Sequence, residues 1–229
     1  MNIEPEILAK CPLFMQIEPQ SYSALLSCVN ASEKTFSANE SVFLAGSQIN
    51  YVGIVMKGSL SIIKESPAGQ KHIIDFVGPS HLFGEGVVCT ETRISPVTVF
   101  AKENATVLMI PYERIIKTCG NSCSFHLQII KNMMMLLGER NKVLNQKIEL
   151  LALKGMREKL ATYLLYESQK QKSNTFQIIP NRNELAEYLN VSRTSMSREL
   201  GRMKDLGMID FYQNSFKILS KEKMAECLL

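Results

Sequence analysis

Between positions 127 and 151 the residues Leu127, Ile130, Met134, Leu137, Asn141, Leu144, Ile148 and Leu151 follow one another in steps of three and four without a slip, and no proline interrupts them. Labelled as heptads, Leu127, Met134, Asn141 and Ile148 take the a positions, and Ile130, Leu137, Leu144 and Leu151 take the d positions. A helix buried in the core of its own chain carries a wider apolar stripe than this. A narrow seam sustained over the whole segment matches a second helix with the same seam. The segment therefore predicts a self-pairing coiled coil and a homodimer. Asn141 would meet its symmetry mate there, a polar contact that fixes register and two-strandedness at some cost in stability. Gly138 weakens the helix slightly but stands off the seam.

A chain of 229 residues is long for one compact domain and short for three. From about residue 32 to 112 it reads as short β-branched and aromatic runs, "SVFLAG", "YVGIVMKGSLSIIKES", "KHIIDFVGP" and "VTVFAKENATVLMIP", broken by turn signals such as "MKGSL", "SPAGQK" and "KENA". Such spacing predicts an antiparallel barrel or roll, with short flanking helices over residues 1 to 30. The predicted organisation is α+β: a roll over 1–123, the seam helix over 124–151, and a second domain over 152–229. Gly155, in "LALKGMREKLATYLLYES", marks a break or hinge after the long helix. Beyond it Leu160, Leu164 and Leu165 form an apolar face, "QKQKSNT" reads as a polar loop and "FQIIP" as a short strand.

Apolar residues are 45% and charged residues 21% of the sequence, the balance of an ordinary globular protein. No run of about 18 apolar residues is present to span a bilayer, and "MNIEPEILAKCPLF" lacks the features of a secretory signal, so a cytoplasmic protein without a membrane segment is expected. Cysteines at 11, 28, 89, 119, 123 and 227 are too scattered for a disulfide framework. Cys119 and Cys123 read as structural thiols, with a redox switch as the alternative; two thiols alone make neither a zinc site nor a cluster, and no metal site is predicted. Met134 belongs to the seam, and the other methionines, such as Met133 and Met135, are read as adaptable packing. Enzymatic motifs are missing: there is no phosphate loop ending in Lys-Ser/Thr, no His-Glu-x-x-His and no nucleophile elbow. The net charge of +4 decides little, since nucleic-acid binding depends on where the basic residues gather.

The informative stretch is "NELAEYLNVSRTSMSREL", residues 183–200, in which Arg193 and Arg198 both fall in the second half. Asn181 can cap a first helix with Glu184 at its N3 position, leaving Leu185, Ala186 and Leu189 to be buried. Asn190 suits a left-handed turn residue, and Ser192 can cap a second helix. On that helix Met196, Leu200 and Met203 would point inward, with Arg193, Thr194, Ser197, Arg198 and Arg202 on the other side. This is helix-turn-helix spacing, in which the second helix fits the major groove and an arginine can bond guanine O6 and N7. "GMIDFYQNSFKILS" predicts two strands around "QNS", completing a winged helix with "FQIIP".

With these pieces in order, the chain resembles the CRP/FNR family of bacterial transcription regulators over nearly its whole length. The most specific matches are "FGE" at 83–85, the heptad helix, "REKLATYLL" at 157–165 and "NVSRTSMSREL" at 190–200. The resemblance implies a cyclic-nucleotide-binding-like β-roll, a dimerisation helix and a winged helix-turn-helix that binds a near-palindromic double-stranded operator. It implies base readout by Arg193 and Arg198 with Ser197 between them, and phosphate contacts from Arg182, Asn183, Ser192 and Ser195, to which the exposed Arg202 adds. Thr194 stands where most members carry a Glu for base readout. Thr does not replace the preference of Glu for cytosine N4, so the resemblance does not fix the half-site. An activator of the family also implies RNA polymerase as a partner.

The resemblance also bears on the effector. Members that bind cyclic AMP carry a Gly-Glu pair followed by an Arg-Ser pair that holds the cyclic phosphate. Gly84 and Glu85 are present, but the Arg and Ser positions fall on Ser95 and Pro96, with Arg93 displaced by two residues. Pro96 removes a backbone N–H from the cradle, and the adenine positions would be Leu144 and Asn145. Cyclic AMP is therefore disfavoured, and Gly84, Glu85, Arg93, Ser95 and Asn145 remain as the candidate pocket for an unknown small molecule. An iron–sulfur cluster is disfavoured because only Cys11 and Cys28 lie near the N-terminus, and haem because His72 and His81 read as surface or turn residues. The resulting expectation is a homodimeric, effector-controlled, non-enzymatic DNA-binding regulator. The alternative is a dimeric ligand-binding module that acts on protein partners without DNA.

Overall fold

The computed structural model describes residues 4–66, 69–117 and 124–227. Cys119 and Cys123 lie outside them. The chain divides into two compact units, Met1–Glu139 and Arg140–Leu229.

The first unit opens with α1 (Pro5–Ala9), two 3-10 turns at Pro12–Phe14 and Pro19–Ser21, and α2 (Tyr22–Cys28). Eight strands follow: β1 (Ser32–Phe36), β2 (Ser41–Phe43), β3 (Tyr51–Lys57), β4 (Leu60–Glu65), β5 (Lys71–Val77), β6 (Leu82–Phe83), β7 (Thr98–Ala101) and β8 (Ala105–Pro111). The one-turn helix α3 (Glu85–Val88) separates β6 from β7, and α4 (Tyr112–Ile116) follows β8. The strands form two antiparallel four-stranded sheets, ordered β1-β8-β3-β6 and β2-β7-β4-β5. Their inner faces, with Val52, Ile54, Leu60, Val99, Val107 and Ile110 almost wholly buried, enclose the core of the predicted roll. Gly53 on β3 is a packing requirement, since a side chain there would run into the Phe83 ring.

The long helix α5 (Ser124–Ala152) is continuous. Ile129 and Met133 belong to the first core and Leu150 to the second, so one face of the helix is used within its own chain. That face includes Asn132, which is buried and donates to the carbonyls of Leu13 (2.9 Å) and Met15 (2.7 Å). Most of the seam stripe is exposed, although Leu137 also packs against the first core. Leu127 is 65%, Met134 69%, Leu144 61% and Ile148 64% exposed, with Leu151 and Asn141 also exposed and Ile130 and Leu137 half-buried. These are the seam residues, most of which one chain by itself does not cover. Asn141 accepts a hydrogen bond from Asn145 at 2.7 Å, one turn further along.

In the second unit α6 (Met156–Lys170) starts after a break at residues 153–155. Gly155 is its N-cap residue in an extended conformation, and its N–H donates to Glu158 Oε2 at 3.2 Å. Beyond α6 come β9 (Thr175–Gln177), α7 (Arg182–Tyr188), α8 (Arg193–Asp205), β10 (Ile209–Tyr212), β11 (Ser215–Ile218) and α9 (Lys221–Glu226). The strands pair antiparallel in the order β10-β11-β9, and Leu160, Leu164, Leu185, Met196, Leu200, Phe216 and Ile218 close the core. Helix α6 runs two residues into the segment read as a polar loop. Ser168 fixes the turn beyond its end by donating to Ser173 O at 2.7 Å.

Candidate nucleic-acid interface

Two helices and a hairpin build this surface. At the start of α7, Asn181 Oδ1 accepts from the N–H groups of Asn183 (2.9 Å) and Glu184 (3.1 Å), while Glu184 Oε2 accepts from the Asn181 N–H (2.8 Å). This reciprocal box satisfies backbone donors left without helical partners, and a cap of this kind is worth about 1 kcal/mol. Leu185, Ala186 and Leu189 are buried as the pattern required. The chain then turns at Asn190, whose φ is 51°, and Val191 N–H closes the turn on Ala186 O at 2.9 Å. Ser192 occupies the N-cap position of α8 but its side chain makes no capping bond. Its hydroxyl is exposed instead.

Helix α8 buries Met196, Leu200 and Met203 and exposes Arg193, Thr194, Ser195, Ser197, Arg198 and Arg202. Two residues that the sequence pattern did not single out hold this helix and its partner in place. Glu199 is nearly buried and joins Arg157 Nε of α6 (2.6 Å) and Arg202 Nη1 (3.2 Å), so one carboxylate ties α6 to α8. Lys159, also buried, donates its Nζ to Leu189 O at 3.2 Å, satisfying a carbonyl at the C-terminus of α7. Among the described residues, Arg193 and Arg198 have no ion-pair partner, whereas Arg202 is committed to Glu199 and Lys204 to Asp210 at 2.7 Å. Two uncommitted guanidinium groups on one exposed helix face can form bidentate bonds to an external acceptor pair.

Arg182 departs from expectation. Its guanidinium lies 5.0 Å from the Phe211 ring centroid and 4.9 Å from that of Phe216, and Nη2 donates to Gln213 O at 2.9 Å. Burial pulls its pKa below the ordinary arginine value, and Nη1 is buried with no acceptor among the described residues. The half-buried side chain thus braces the β10–β11 hairpin to α7, so it is not simply an outward-pointing group. Asn183 is exposed at the helix start, and the hairpin tip with Tyr212 and Gln213 is exposed beside it.

In the first unit, Gly84 has φ of 82° at the start of α3 and Glu85 is buried. Arg93 is engaged within the chain: Nη2 donates to Glu113 Oε1 at 2.8 Å and the guanidinium lies 4.9 Å from the centre of the Tyr112 ring. Ser95 is buried, with its hydroxyl donating to Val97 O at 2.8 Å. Asn145 belongs to the second unit and bonds to Asn141. His72 and His81 are exposed, and His81 Nδ1 lies 2.9 Å from Pro79 O. Arg93 Nη2 and the Ser95 hydroxyl are thus engaged within the chain, and Pro96 has no backbone N–H to donate.

The hydrogen bond from Arg93, with help from Lys117, holds the Glu113 carboxyl below its ordinary value of 4.5. The contribution of these contacts is therefore present above that value and is lost as pH falls through the lowered one. In an Arg93→Ala variant the Glu113 midpoint should move up toward 4.5, read by carboxyl-carbon NMR during an acid titration. An unchanged midpoint would show that Arg93 is not engaged in solution.

Comparison with known proteins agrees with both units. Residues 33–122 match the cyclic nucleotide-binding domain and residues 158–227 the Crp-like helix-turn-helix domain. The chain is 27% identical over 186 residues to the transcriptional activator protein FnrA of Stutzerimonas stutzeri, covering 79% of this chain and 73% of that protein. It is 22% identical over 226 residues to a CRP-like cAMP-activated global transcriptional regulator of Mycobacterium tuberculosis, covering 96% and 97%. Among solved structures, CooA from Carboxydothermus hydrogenoformans gives a TM-score of 0.55 at 19% identity, covering 91% of each chain. The Thermus thermophilus catabolite activator protein gives 0.54 at 21%, covering 95% of this chain and 98% of that one.

Proposed function

Because the chain belongs to the CRP/FNR family of transcription regulators, we propose that it acts as a homodimer that reads a near-palindromic DNA operator with α8 under control of an effector in its β-roll. The observation that carries the DNA reading is the exposed face of α8, where Arg193 and Arg198 have no ion-pair partner among the described residues, Thr194 and Ser197 lie between them, and buried Glu199 anchors the helix. Arg193, Thr194, Ser197 and Arg198 take base readout. Asn183, Ser192 and Ser195 take phosphates, Arg202 adds to them through the exposed donors that its one bond to Glu199 leaves over, and Arg182 acts through the wing. The seam of α5 pairs two copies, setting the two reading helices about one DNA turn, roughly 34 Å, apart.

The effector is a small molecule other than cyclic AMP. What supports this is the engagement of Arg93 with Glu113 and Tyr112 and the buried, bonded hydroxyl of Ser95. Its binding biases the dimer between two forms, with the break at Gly155 absorbing the difference. The protein works in the cytoplasm as a regulator without enzymatic activity, and as an activator it would contact RNA polymerase.

Selection of bound DNA from a random pool by the purified protein, in air and under anaerobic reducing conditions with absorption spectra alongside, tests this reading. The expected result is a two-fold symmetric site recovered in both conditions from a colourless protein. Recovery of no sequence, with binding that lacks a salt-dependent slope, would favour a module acting on protein partners. A haem or cluster absorption band would overturn the small-molecule effector.

A further inference from the structure

Cys28 closes α2 and His126 stands in the first turn of α5, 98 positions away, yet Cys28 Sγ lies 3.8 Å from His126 Nδ1. The imidazole is 2% exposed, and its Nε2 lies 3.0 Å from the carbonyl oxygen of Arg114 on α4. A carbonyl oxygen only accepts, so Nε2 carries the ring proton and Nδ1 presents a lone pair toward the sulfur. The fold thereby sets the tautomer in which the imidazole can take the thiol proton. Cys28 is itself only partly buried, unlike Cys11.

The other described cysteines lack this arrangement. Cys11 is fully buried, and loss of water around it pushes its thiol up to about 12. The Cys227 thiol is also raised by burial, and it donates to Lys223 O at 3.3 Å, a contact that keeps the proton on sulfur. Cys89 is exposed and lies beside Tyr112, whose hydroxyl is no base at neutral pH.

We infer that Cys28 is a thiol modification site activated by His126, with hydroperoxides as its class of oxidant. The Cys28 proton passes to His126 Nδ1, and the resulting thiolate attacks the terminal oxygen of the peroxide. An S–O bond forms as the O–O bond breaks. Sulfur is oxidised by two electrons to the sulfenic acid, and the leaving hydroxide or alkoxide takes the proton from the imidazolium and departs as water or alcohol. The site joins α2, α4 and α5, so added oxygen must be accommodated where the helix that carries the apolar seam begins. The inference concerns the thiol alone and does not rest on DNA binding.

The test uses the full chain, fully reduced, exposed to dilute hydrogen peroxide with a cyclic 1,3-dione that traps sulfenic acids, and quantifies adducts on each cysteine by peptide mass spectrometry. Cys28 is expected to be trapped about tenfold faster than the more exposed Cys89, and His126→Gln should slow Cys28 by about tenfold while leaving Cys89 unchanged. Glutamine can still donate to Arg114 O but cannot take the proton. A Cys28 rate no greater than that of Cys89, or one unmoved by the substitution in a folded variant, would overturn the inference. Should circular dichroism show that His126→Gln unfolds, the rate ratio in the unaltered protein decides by itself.

Discussion

A Leu144→Asp variant is expected to sediment as a monomer at concentrations where the unaltered chain is a dimer. Leu144 is a d residue of α5 and is 61% exposed in the single chain, so in the proposed dimer it would be buried by the partner helix. Removing two leucines from a two-fold seam forfeits about 4 kcal/mol, at about 2 kcal/mol each, and that alone weakens association by about a thousandfold. Two like charges brought together in the seam add to the loss. Val143→Asp is the control, because Val143 is 53% exposed on the same helix but off the seam. The same charge there should leave the dimer intact. Sedimentation equilibrium of both variants, with circular dichroism to confirm folding, checks the result. If Leu144→Asp remained dimeric, or Val143→Asp dissociated equally, the seam would not be the interface.

Arg198→Ala is expected to weaken binding to the selected operator by about 1–3 kcal/mol, or roughly five- to a hundredfold, while nonspecific binding changes little. Arg198 is exposed on α8 and has no ion-pair partner among the described residues, so its removal opens no buried charge. The measurement is a pair of salt titrations, one on the operator and one on a scrambled duplex. Equal losses on both DNAs would reassign Arg198 to the phosphates. Arg182→Ala provides a contrast, because that side chain is half-buried against Phe211 and Phe216. Its loss should lower thermal stability of the winged-helix unit along with DNA binding, whereas Arg198→Ala should leave stability unchanged.

The parts of this molecule that were legible in its sequence are those governed by neighbours a few residues away. The seam from Leu127 to Leu151 is a period of three and four along one helix. The box between Asn181 and Glu184 spans one turn, and the left-handed Asn190 follows from the chemistry of a single side chain. The division of α8 into a buried Met196, Leu200, Met203 face and an exposed arginine face is likewise a local period. What only the tertiary structure decided are the partners of charged and polar groups across strands and helices. Arg93 went to Glu113 and Tyr112, Arg182 to the aromatic rings of the wing, and Glu199 to Arg157. Asn132 sits at a heptad position that usually faces water, yet it is held by the carbonyls of Leu13 and Met15. Cys28 met His126 only because α2 and the start of α5 pack together. Periodicity says which way a side chain points relative to its own helix or strand. Which distant group receives it depends on how those elements pack, and in this chain that packing separates arginines built into the scaffold from arginines left available to a ligand.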